Sequence, residues 1–340
     1  MVDRVRVSDL RYQVTGACNL RCPHCFSESA KRRSDELNLD EAKRMVLDFK
    51  ENGLKLLTLT GGEPLLRKRF TLELVEFLSE EGVYSRVFTN GTLMTREYAR
   101  LLREAGLREA QVSIDGIGRT HDEWRGMPGS FERAVNAIKY LKDVGIRTAI
   151  RVTVMPFNYL QMPELLALAE DLSVDLLRVR PFISAGRGKD NQQYMLTKEM
   201  HDHAFGYLAE ARHEAEVTME LPPPSYAFLY DRRVDPLQLK RRLRFHGCSC
   251  GRELCAVTPD GWIKPCGYFS VRIGNVRADS IRDVWRSDAF LCSLRRLERL
   301  DERCMKCEYL GICGGGCRAA AYENFGDLEA ADPTCPKLRG

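Results

Sequence analysis

Three cysteines near the start of the chain have the spacing of ligands to a reactive metal cluster. Cys18, Cys22 and Cys25 lie in the string CNLRCPHC, which has the pattern C-x3-C-x2-C. Three thiolates on one short loop can bind three irons of a cubane 4Fe–4S cluster, whereas structural clusters use four cysteines and structural zinc uses four ligands. The neighbouring His24 is too tightly flanked to share one ion easily with them. The spacing therefore predicts a cluster whose fourth iron is open to a substrate or cofactor.

The composition favours a cytoplasmic protein with metal chemistry. The 340 residues include 52 Lys and Arg and 48 Asp and Glu. Because the positive and negative charges nearly balance, the net charge does not indicate a nucleic-acid or membrane partner. The N-terminal stretch lacks the apolar core of a signal peptide, and no apolar run is long enough to span a bilayer. In a reducing compartment, the 13 cysteines are expected to bind metal or act in catalysis rather than form disulfides.

The order of hydrophobic patterns predicts an α/β fold. From residue 9 to about 182, β-rich runs alternate with amphipathic segments, which is typical of βαβ units around a parallel sheet. The predicted strands are 9–14, 55–60, 84–89, 109–114, 147–154 and 175–180. The predicted helices are 39–52, 70–82, 95–106, 130–145, 160–173 and 197–217. Six such units predict a partial (β/α)6 TIM-like barrel, followed by a small cysteine-rich iron–sulfur domain.

Proline and cysteine positions divide the chain into three predicted parts. Residues 1–220 form the barrel. Residues 221–246 form a linker, since they begin with a rigid proline-rich stretch. The basic segment 231–245 within it is either a solvated linker helix or a docking surface for an acidic partner. Residues 247–340 form the iron–sulfur domain and hold every cysteine except the first three.

The string CNLRCPHC resembles the signature of the radical S-adenosylmethionine (SAM) superfamily. The resemblance implies that the open iron chelates the amino and carboxylate groups of SAM. One electron then breaks a C–S bond, and the resulting 5′-deoxyadenosyl radical removes a hydrogen atom from the substrate. Phe26 replaces a tyrosine that many members carry. Because only eight residues precede the first strand, we expect no leader-peptide-binding domain there, so leader recognition would need a separate protein.

The resemblance extends to motifs at the ends of predicted strands, where barrel enzymes place functional residues. It implies that Glu63 binds the SAM ammonium, that Asp115 lies near the ribose hydroxyls, and that Arg125 pairs with the SAM carboxylate. Open alternatives are a plain turn for GGEP, helix capping by Asp115 and a surface ion pair for Arg125. The full predicted SAM-binding set is Gly61, Gly62, Glu63, Pro64, Asn90, Ser113, Asp115 and Arg125.

The C-terminal cysteines closely resemble the SPASM domain, which holds two auxiliary 4Fe–4S clusters. The resemblance assigns an outer cluster to Cys304, Cys307, Cys313 and Cys335. It assigns an inner cluster to Cys248, Cys266 and Cys317, with Cys255 as the first choice for the fourth ligand and Cys250 as the second. Cys292 is left over. The predicted cofactors are therefore SAM and three 4Fe–4S clusters, with structural zinc as the alternative in this domain.

The substrate is the least determined part of the sequence. Anaerobic sulfatase maturases carry an aspartate base directly after the cysteine that matches Cys266, whereas this chain has Gly267 and Tyr268. Two enzyme classes remain, and we favour the first because it dominates the domain. The first modifies a peptide or protein side chain by C–C or C–S bond formation or oxidation; the second processes tetrapyrrole side chains in alternative heme synthesis. Either would need a flavodoxin or ferredoxin-type reductant. A non-catalytic zinc-binding interaction protein is a third class.

Overall fold

Parallel strands with helices between them make up most of the chain. The computed structural model describes residues 6–221, 226–231, 233, 247–296 and 299–339. The predicted linker 221–246, including its basic segment, lies largely outside these residues. The described strands are β1 Asp9–Gln13, β2 Leu56–Thr60, β3 Tyr84–Thr89, β4 Glu109–Ser113, β5 Arg147–Val154, β6 Leu176–Pro181, β7 Thr218–Glu220, β8 Leu254–Val257, β9 Trp262–Lys264 and β10 Gly274–Asn275.

Helices follow most of the strands and continue through the cysteine-rich region. The described α-helices are α1 Leu39–Glu51, α2 Lys68–Glu80, α3 Arg96–Glu104, α4 Arg119–Arg125, α5 Ser130–Asp143, α6 Met162–Asp171, α7 Lys198–Ala211, α8 Ile281–Ser287, α9 Ala289–Arg295, α10 Glu302–Met305, α11 Leu310–Cys313 and α12 Arg318–Phe325. Short 3-10 turns cover Pro64–Arg67, Tyr159–Gln161, Gly186–Asp190, Gln192–Tyr194, Ala227–Leu229 and Pro336–Leu338. None of the described helices combines the length and apolar character needed to cross a membrane.

The described strands form one sheet that crosses the predicted domain boundary. Its order is β10-β9-β8-β1-β2-β3-β4-β5-β6-β7, and β1 to β7 are parallel. Strand β8, from the cysteine-rich region, pairs in parallel with the free edge of β1, and β9 and β10 extend the sheet in antiparallel fashion. The six predicted barrel strands and the partial barrel are confirmed, and β7 is an additional strand. The cysteine-rich region continues the barrel sheet.

Local sequence explains why these elements form. Along β1, Leu10 and Tyr12 point into the core and are fully buried, which is the period-two pattern of a strand. Helix α1 begins with a capping box, in which Asn38 accepts from the Glu41 amide and Glu41 accepts from the Asn38 amide. Helices α2, α3 and α5 each bury one apolar stripe, as the helical spacing predicts.

A cluster of buried ion pairs lies at the amino-terminal end of the barrel. Glu109, at the start of β4, is fully buried and lies 2.6 Å from a guanidinium nitrogen of Arg178 and 2.7 Å from one of Arg86. Arg178 also pairs with Glu220 on β7. Since these residues come from different strands, the carboxylate of Glu109 connects the strands far from the cysteines.

We predict that Glu109→Gln lowers the free energy of unfolding by about 3–5 kcal/mol, because it removes the counter-charge of Arg86 and leaves Arg178 only its ion pair with Glu220. Glu104→Gln is the matched control, since Glu104 pairs with Arg100 on the exposed face of α3. That change should cost no more than about 0.5 kcal/mol. Urea unfolding under anaerobic conditions measures both. Equal costs for the two variants would show that the buried cluster does not stabilise the barrel.

Candidate functional site

The three N-terminal cysteines lie on a loop that is held by the backbone of neighbouring segments. The loop begins after β1, and the Cys18 amide donates to the Ala30 carbonyl at 3.3 Å. Arg187 holds the loop by two further hydrogen bonds. Its guanidinium donates to the Cys22 carbonyl at 2.9 Å, and its backbone amide donates to the Cys25 carbonyl at 3.0 Å. These bonds fix the loop backbone, so that the three thiols line one cavity.

The glycines of GGEP allow this loop to approach the end of β2. The Gly62 amide donates to the Thr15 carbonyl and the Glu63 amide donates to the Ala17 carbonyl, both at 2.8 Å. A Cβ atom on Gly62 would lie 1.8 Å from the Ala17 carbonyl oxygen, which no rearrangement of a side chain can relieve. The glycines are therefore needed for packing against the cysteine loop, in addition to any approach to a ligand.

The Glu63 carboxylate is held by hydrogen bonds within the protein. This buried carboxylate accepts hydrogen bonds from the Leu65 amide, the Thr89 hydroxyl and the Asn90 amide at 2.8–3.0 Å, and it does not line the cavity. Burial raises the pKa of Glu63 to about 7, although these hydrogen bonds lower it. The carboxylate joins the GGEP turn to the loop after β3, and its binding of the SAM ammonium stays a prediction.

Asn90 connects that loop to the cysteine loop. Its side-chain amide donates to the Asn19 carbonyl oxygen at 3.0 Å, and its own oxygen accepts from the Thr92 amide and hydroxyl. Asn19 in turn donates to the Thr92 hydroxyl at 2.8 Å. Asn90, Gly61, Gly62 and Ser113 line the cavity with the three thiols, as predicted for SAM-binding residues. Pro64 and Glu63 do not line the cavity.

Asp115 and Arg125 pair with each other in the interior. One carboxylate oxygen of Asp115 accepts from Arg125 at 2.5 Å, and the other accepts from the Thr153 amide at 2.9 Å. Burial alone would raise the pKa of Asp115, but Arg125 keeps it below its usual value. Asp115 thus holds Arg125 in place, and its contact with the ribose hydroxyls stays a prediction. Arg125 remains at the cavity wall, where it donates to the Cys22 sulfur at 3.5 Å.

His24 and Trp124 complete this network through a contact that no motif in the sequence predicts. The Trp124 indole N–H donates to His24 Nδ1 at 2.7 Å, and His24 Nε2 lies 3.4 Å from Asp115. Burial lowers the pKa of His24 to about 4 and keeps the ring neutral. The two residues are 100 positions apart, so spacing along the chain could not relate them. His121 is structural, as expected: its Nδ1 accepts from the Asp115 amide.

Four C-terminal cysteines line the same cavity as the N-terminal three. This inner cysteine set consists of Cys248, Cys250, Cys266 and Cys317. A hydrogen bond from the Cys250 thiol lowers the pKa of Cys266 to about 7, despite the burial of both. The sequence-based preference for Cys255 is corrected, because Cys255 lies on β8 and its thiol is directed at the Lys264 carbonyl, 3.5 Å away. The second choice, Cys250, lies with the other three.

The remaining predicted ligands line a second cavity. This outer cysteine set consists of Cys304, Cys307, Cys313 and Cys335. Asp332 joins the two sets, since it accepts from the Tyr226 hydroxyl at the outer cavity and from the Cys317 amide, both at 2.6 Å. A Cβ atom on Gly316 would lie 2.2 Å from the Tyr226 hydroxyl oxygen, which explains the last glycine in the string CGGGC. Cys292 lies apart on α9.

The donor chemistry of the three sets fits iron–sulfur clusters. All 13 cysteines are free thiols, and 11 of them fall into the three sets. Among the described residues, no three His, Cys, Asp or Glu side chains converge closely enough to bind a single ion. A cubane cluster binds each thiolate at a separate iron, so its ligands stand further apart than those of one zinc ion.

Sequence and structure comparisons agree with this arrangement. The chain matches the model of the radical SAM superfamily over residues 12–169 and the model of an iron–sulfur cluster-binding domain, SPASM, over residues 248–308. It is 30% identical to an AdoMet-dependent heme synthase of Oleidesulfovibrio alaskensis, covering 96% of this chain and 86% of that protein. It is also 30% identical to mycofactocin maturase MftC of Mycolicibacterium smegmatis, covering 96% and 82%.

The fold is similar to that of solved enzymes. Streptococcus suis SuiB, whose structure was solved with the precursor peptide SuiA, superposes with a TM-score of 0.76. The match covers 97% of this chain and 76% of that chain, at 20% sequence identity. At this identity the likeness concerns the fold alone.

We predict that Gly62→Ala displaces the N-terminal cysteine loop and removes about one third of the iron, corresponding to one cluster of three. The reason is the collision between the new Cβ and the Ala17 carbonyl. The measurement is iron per chain after anaerobic reconstitution. Gly206→Ala, on α7, is the matched control, because a Cβ there would lie 3.9 Å from the Tyr230 ring, which is an ordinary contact. Full iron content in Gly62→Ala would contradict the packing argument.

Proposed function

Because the chain belongs to the radical SAM superfamily and carries a SPASM domain, we propose that it is an enzyme that cleaves SAM reductively and removes a hydrogen atom from a carboxylated side chain of a tetrapyrrole. The SAM-binding cluster would be held by Cys18, Cys22 and Cys25. The inner and outer cysteine sets would hold two auxiliary clusters. An external one-electron donor of the flavodoxin or ferredoxin type completes the proposal.

One observation carries the proposal: the N-terminal thiols and the inner cysteine set line a single cavity. A substrate in that cavity lies between the place where a hydrogen atom is removed and a centre that can take up an electron. When bound, the clusters and SAM would supply hydrogen-atom abstraction at an unactivated carbon and one-electron transfer. The chain itself supplies the shape, the charge and the exclusion of water.

The protein residues at the cavity orient the reacting groups. Asn90 and Ser113 present polar side chains beside the N-terminal thiols. Arg125, fixed by Asp115, supplies a positive charge at the Cys22 sulfur and at any anionic group bound next to it. Because these side chains are held by buried hydrogen bonds, they need little rearrangement when a ligand binds.

The cavity wall favours a reaction that releases no proton. None of the described residues that line it is Asp or Glu. A Cβ atom on Gly267 would lie 3.0 Å from the Phe26 ring, so the position after Cys266 has little room for an acidic base. When a hydrogen atom is removed from the carbon next to the one that bears a carboxylate, a substrate radical forms. Loss of CO2 and one electron from this radical forms a C=C bond, and no proton has to be removed.

The relatives support the tetrapyrrole substrate. The heme synthase relative is aligned along nearly the whole chain. A Fe-coproporphyrin III synthase of Methanosarcina barkeri and a pre-heme d1 synthase of Dinoroseobacter shibae are also similar, at 28% and 31% identity. This shifts our sequence-based preference from the peptide class to the tetrapyrrole class.

Peptide modification is the second candidate, and the maturase relative favours it because its 30% identity over 96% of this chain equals that of the heme synthase. Forming a C–C or C–S bond on a peptide would also require loss of a proton. The partner expected for that reaction, a separate leader-binding protein, belongs to this second candidate alone.

The test is anaerobic turnover of the reconstituted enzyme with SAM, a one-electron reductant and an iron tetrapyrrole that carries propionate side chains. We predict 5′-deoxyadenosine together with a tetrapyrrole that has lost CO2, both measured by mass spectrometry. Modification of a precursor peptide with an unchanged tetrapyrrole would contradict the proposal and establish the second candidate.

Three cysteine variants sharpen this test. Cys22→Ala should abolish 5′-deoxyadenosine, because it removes a ligand of the SAM-binding cluster. Cys313→Ala, in the outer cysteine set, should reduce the tetrapyrrole product more than SAM cleavage. Cys292→Ala should change neither, because this thiol lies outside all three sets. Full SAM cleavage by Cys22→Ala would disprove the assignment of the radical-generating site.

A further inference from the structure

Three arginines in the cavity have no partner. Arg11 on β1, Arg151 on β5 and Arg180 on β6 all line it. In the part of the chain that the structure describes, none of their guanidinium groups makes a hydrogen bond or an ion pair. The Nε atoms of Arg11 and Arg180 are buried. We call these three residues the arginine wall.

Other arginines in the barrel are paired. Arg178, two residues before Arg180 on β6, binds Glu109 and Glu220 at 2.6 Å. Arg125, in the same cavity, binds Asp115 at 2.5 Å. Side chains alternate between faces only with period two, so Arg178 and Arg180 face the same side of the sheet at different depths. Arg178 is therefore neutralised by carboxylates of the protein, whereas its register partner Arg151 on β5 and the nearby Arg180 are left unpaired.

Leaving these charges unpaired is costly in the free protein. Burial and the nearby positive charges of Arg180 and Arg11 together lower the pKa of Arg151 to about 10, although Tyr268 and Asp115 act in the opposite direction. A desolvated cation without a counter-charge destabilises a fold, so such groups usually mark a place where a ligand supplies the missing charge. The described lining offers no carboxylate to do so.

The arginine wall faces the inner cysteine set. All three arginines line the cavity that Cys248, Cys266 and Cys317 also line. The GGEP and Asn90 loops, by contrast, follow β2 and β3. The wall is therefore formed by strands other than those that carry the predicted SAM-binding loops.

We propose that Arg11, Arg151 and Arg180 form a clamp that binds at least two carboxylates of one substrate molecule, an inference that rests on the proposed function. A guanidinium group binds a carboxylate through two parallel hydrogen bonds, so three of them on separate strands fix both the position and the rotation of a polycarboxylate. The clamp holds the substrate against the inner cysteine set and leaves its opposite face toward the N-terminal thiols.

The experiment measures binding of coproporphyrin III, a metal-free porphyrin with four carboxylates, to the reconstituted protein by fluorescence quenching. We expect each of Arg11→Gln, Arg151→Gln and Arg180→Gln to weaken binding about tenfold. The double variant of Arg151 and Arg180 should weaken it about a hundredfold, if the two act independently. The tetramethyl ester of the same porphyrin, which lacks the charges, should bind weakly to the wild type and be insensitive to these changes.

Arg147→Gln is the matched control, because Arg147 lies on the same strand as Arg151 but is half exposed and outside the cavity. It removes the same charge and should leave coproporphyrin III binding unchanged. A second measurement is thermal unfolding without any porphyrin. Arg151→Gln should raise the melting temperature, since it removes an unpaired, partly buried cation. A purely structural role for Arg151 would lower it instead.

Three results would overturn the clamp. One is unchanged coproporphyrin III affinity in all three variants. Another is an equal loss of affinity for SAM, which would assign the arginines to the SAM carboxylate. The third is a loss of iron from the variants, which would assign them to the charge of the inner cluster. Conversely, porphyrin binding through the clamp with no loss of CO2 from any tetrapyrrole would refute the proposed function and leave the clamp in place.

Discussion

The pairing of β1 on both of its edges is the constraint on which the site depends. Asp9 lies opposite Leu56 of β2 on one side and opposite Leu254 of β8 on the other, and all three strands are parallel. The N-terminal cysteine loop and the GGEP turn therefore leave the sheet at the same edge. Strand β9 runs antiparallel to β8 with Lys264 opposite Ala256, so Cys266 follows it toward the amino-terminal end of β8. A slip of one residue in either pairing would turn the inward side chains of β1 outward and separate the two thiol sets.

Buried charge is used in two opposite ways around the cavity. The carboxylates of Glu63 and Asp115 accept hydrogen bonds from donors of the protein itself. These hydrogen bonds fix the positions of three strand-end loops relative to one another. The arginine wall has no such partners and keeps its charge available. A rigid scaffold of satisfied carboxylates next to unsatisfied cations is the arrangement expected where binding energy is reserved for a ligand, at some cost in stability.

The sequence predicts much of this architecture because strand and helix periods are local properties. The six barrel strands differ from their predicted bounds by about one residue, and the motifs CNLRCPHC and GGEP lie where predicted. Partner choice is not local. Whether Asp115 binds a ligand or Arg125, and whether Cys250 or Cys255 joins Cys266, depends on contacts between segments distant in the chain. Similarly, no spacing rule relates Arg11 to Arg151, which the curvature of the sheet brings to one cavity.

Metal analysis of the whole chain tests the central claim most directly. The protein would be purified and reconstituted anaerobically, and iron and zinc would be counted per chain. Three clusters, one open to SAM and two auxiliary, predict about 12 iron atoms with little zinc. About 4 iron atoms with one or two zinc ions would contradict the account. That result would keep the N-terminal cluster but leave the cavity without a second redox centre to receive the electron.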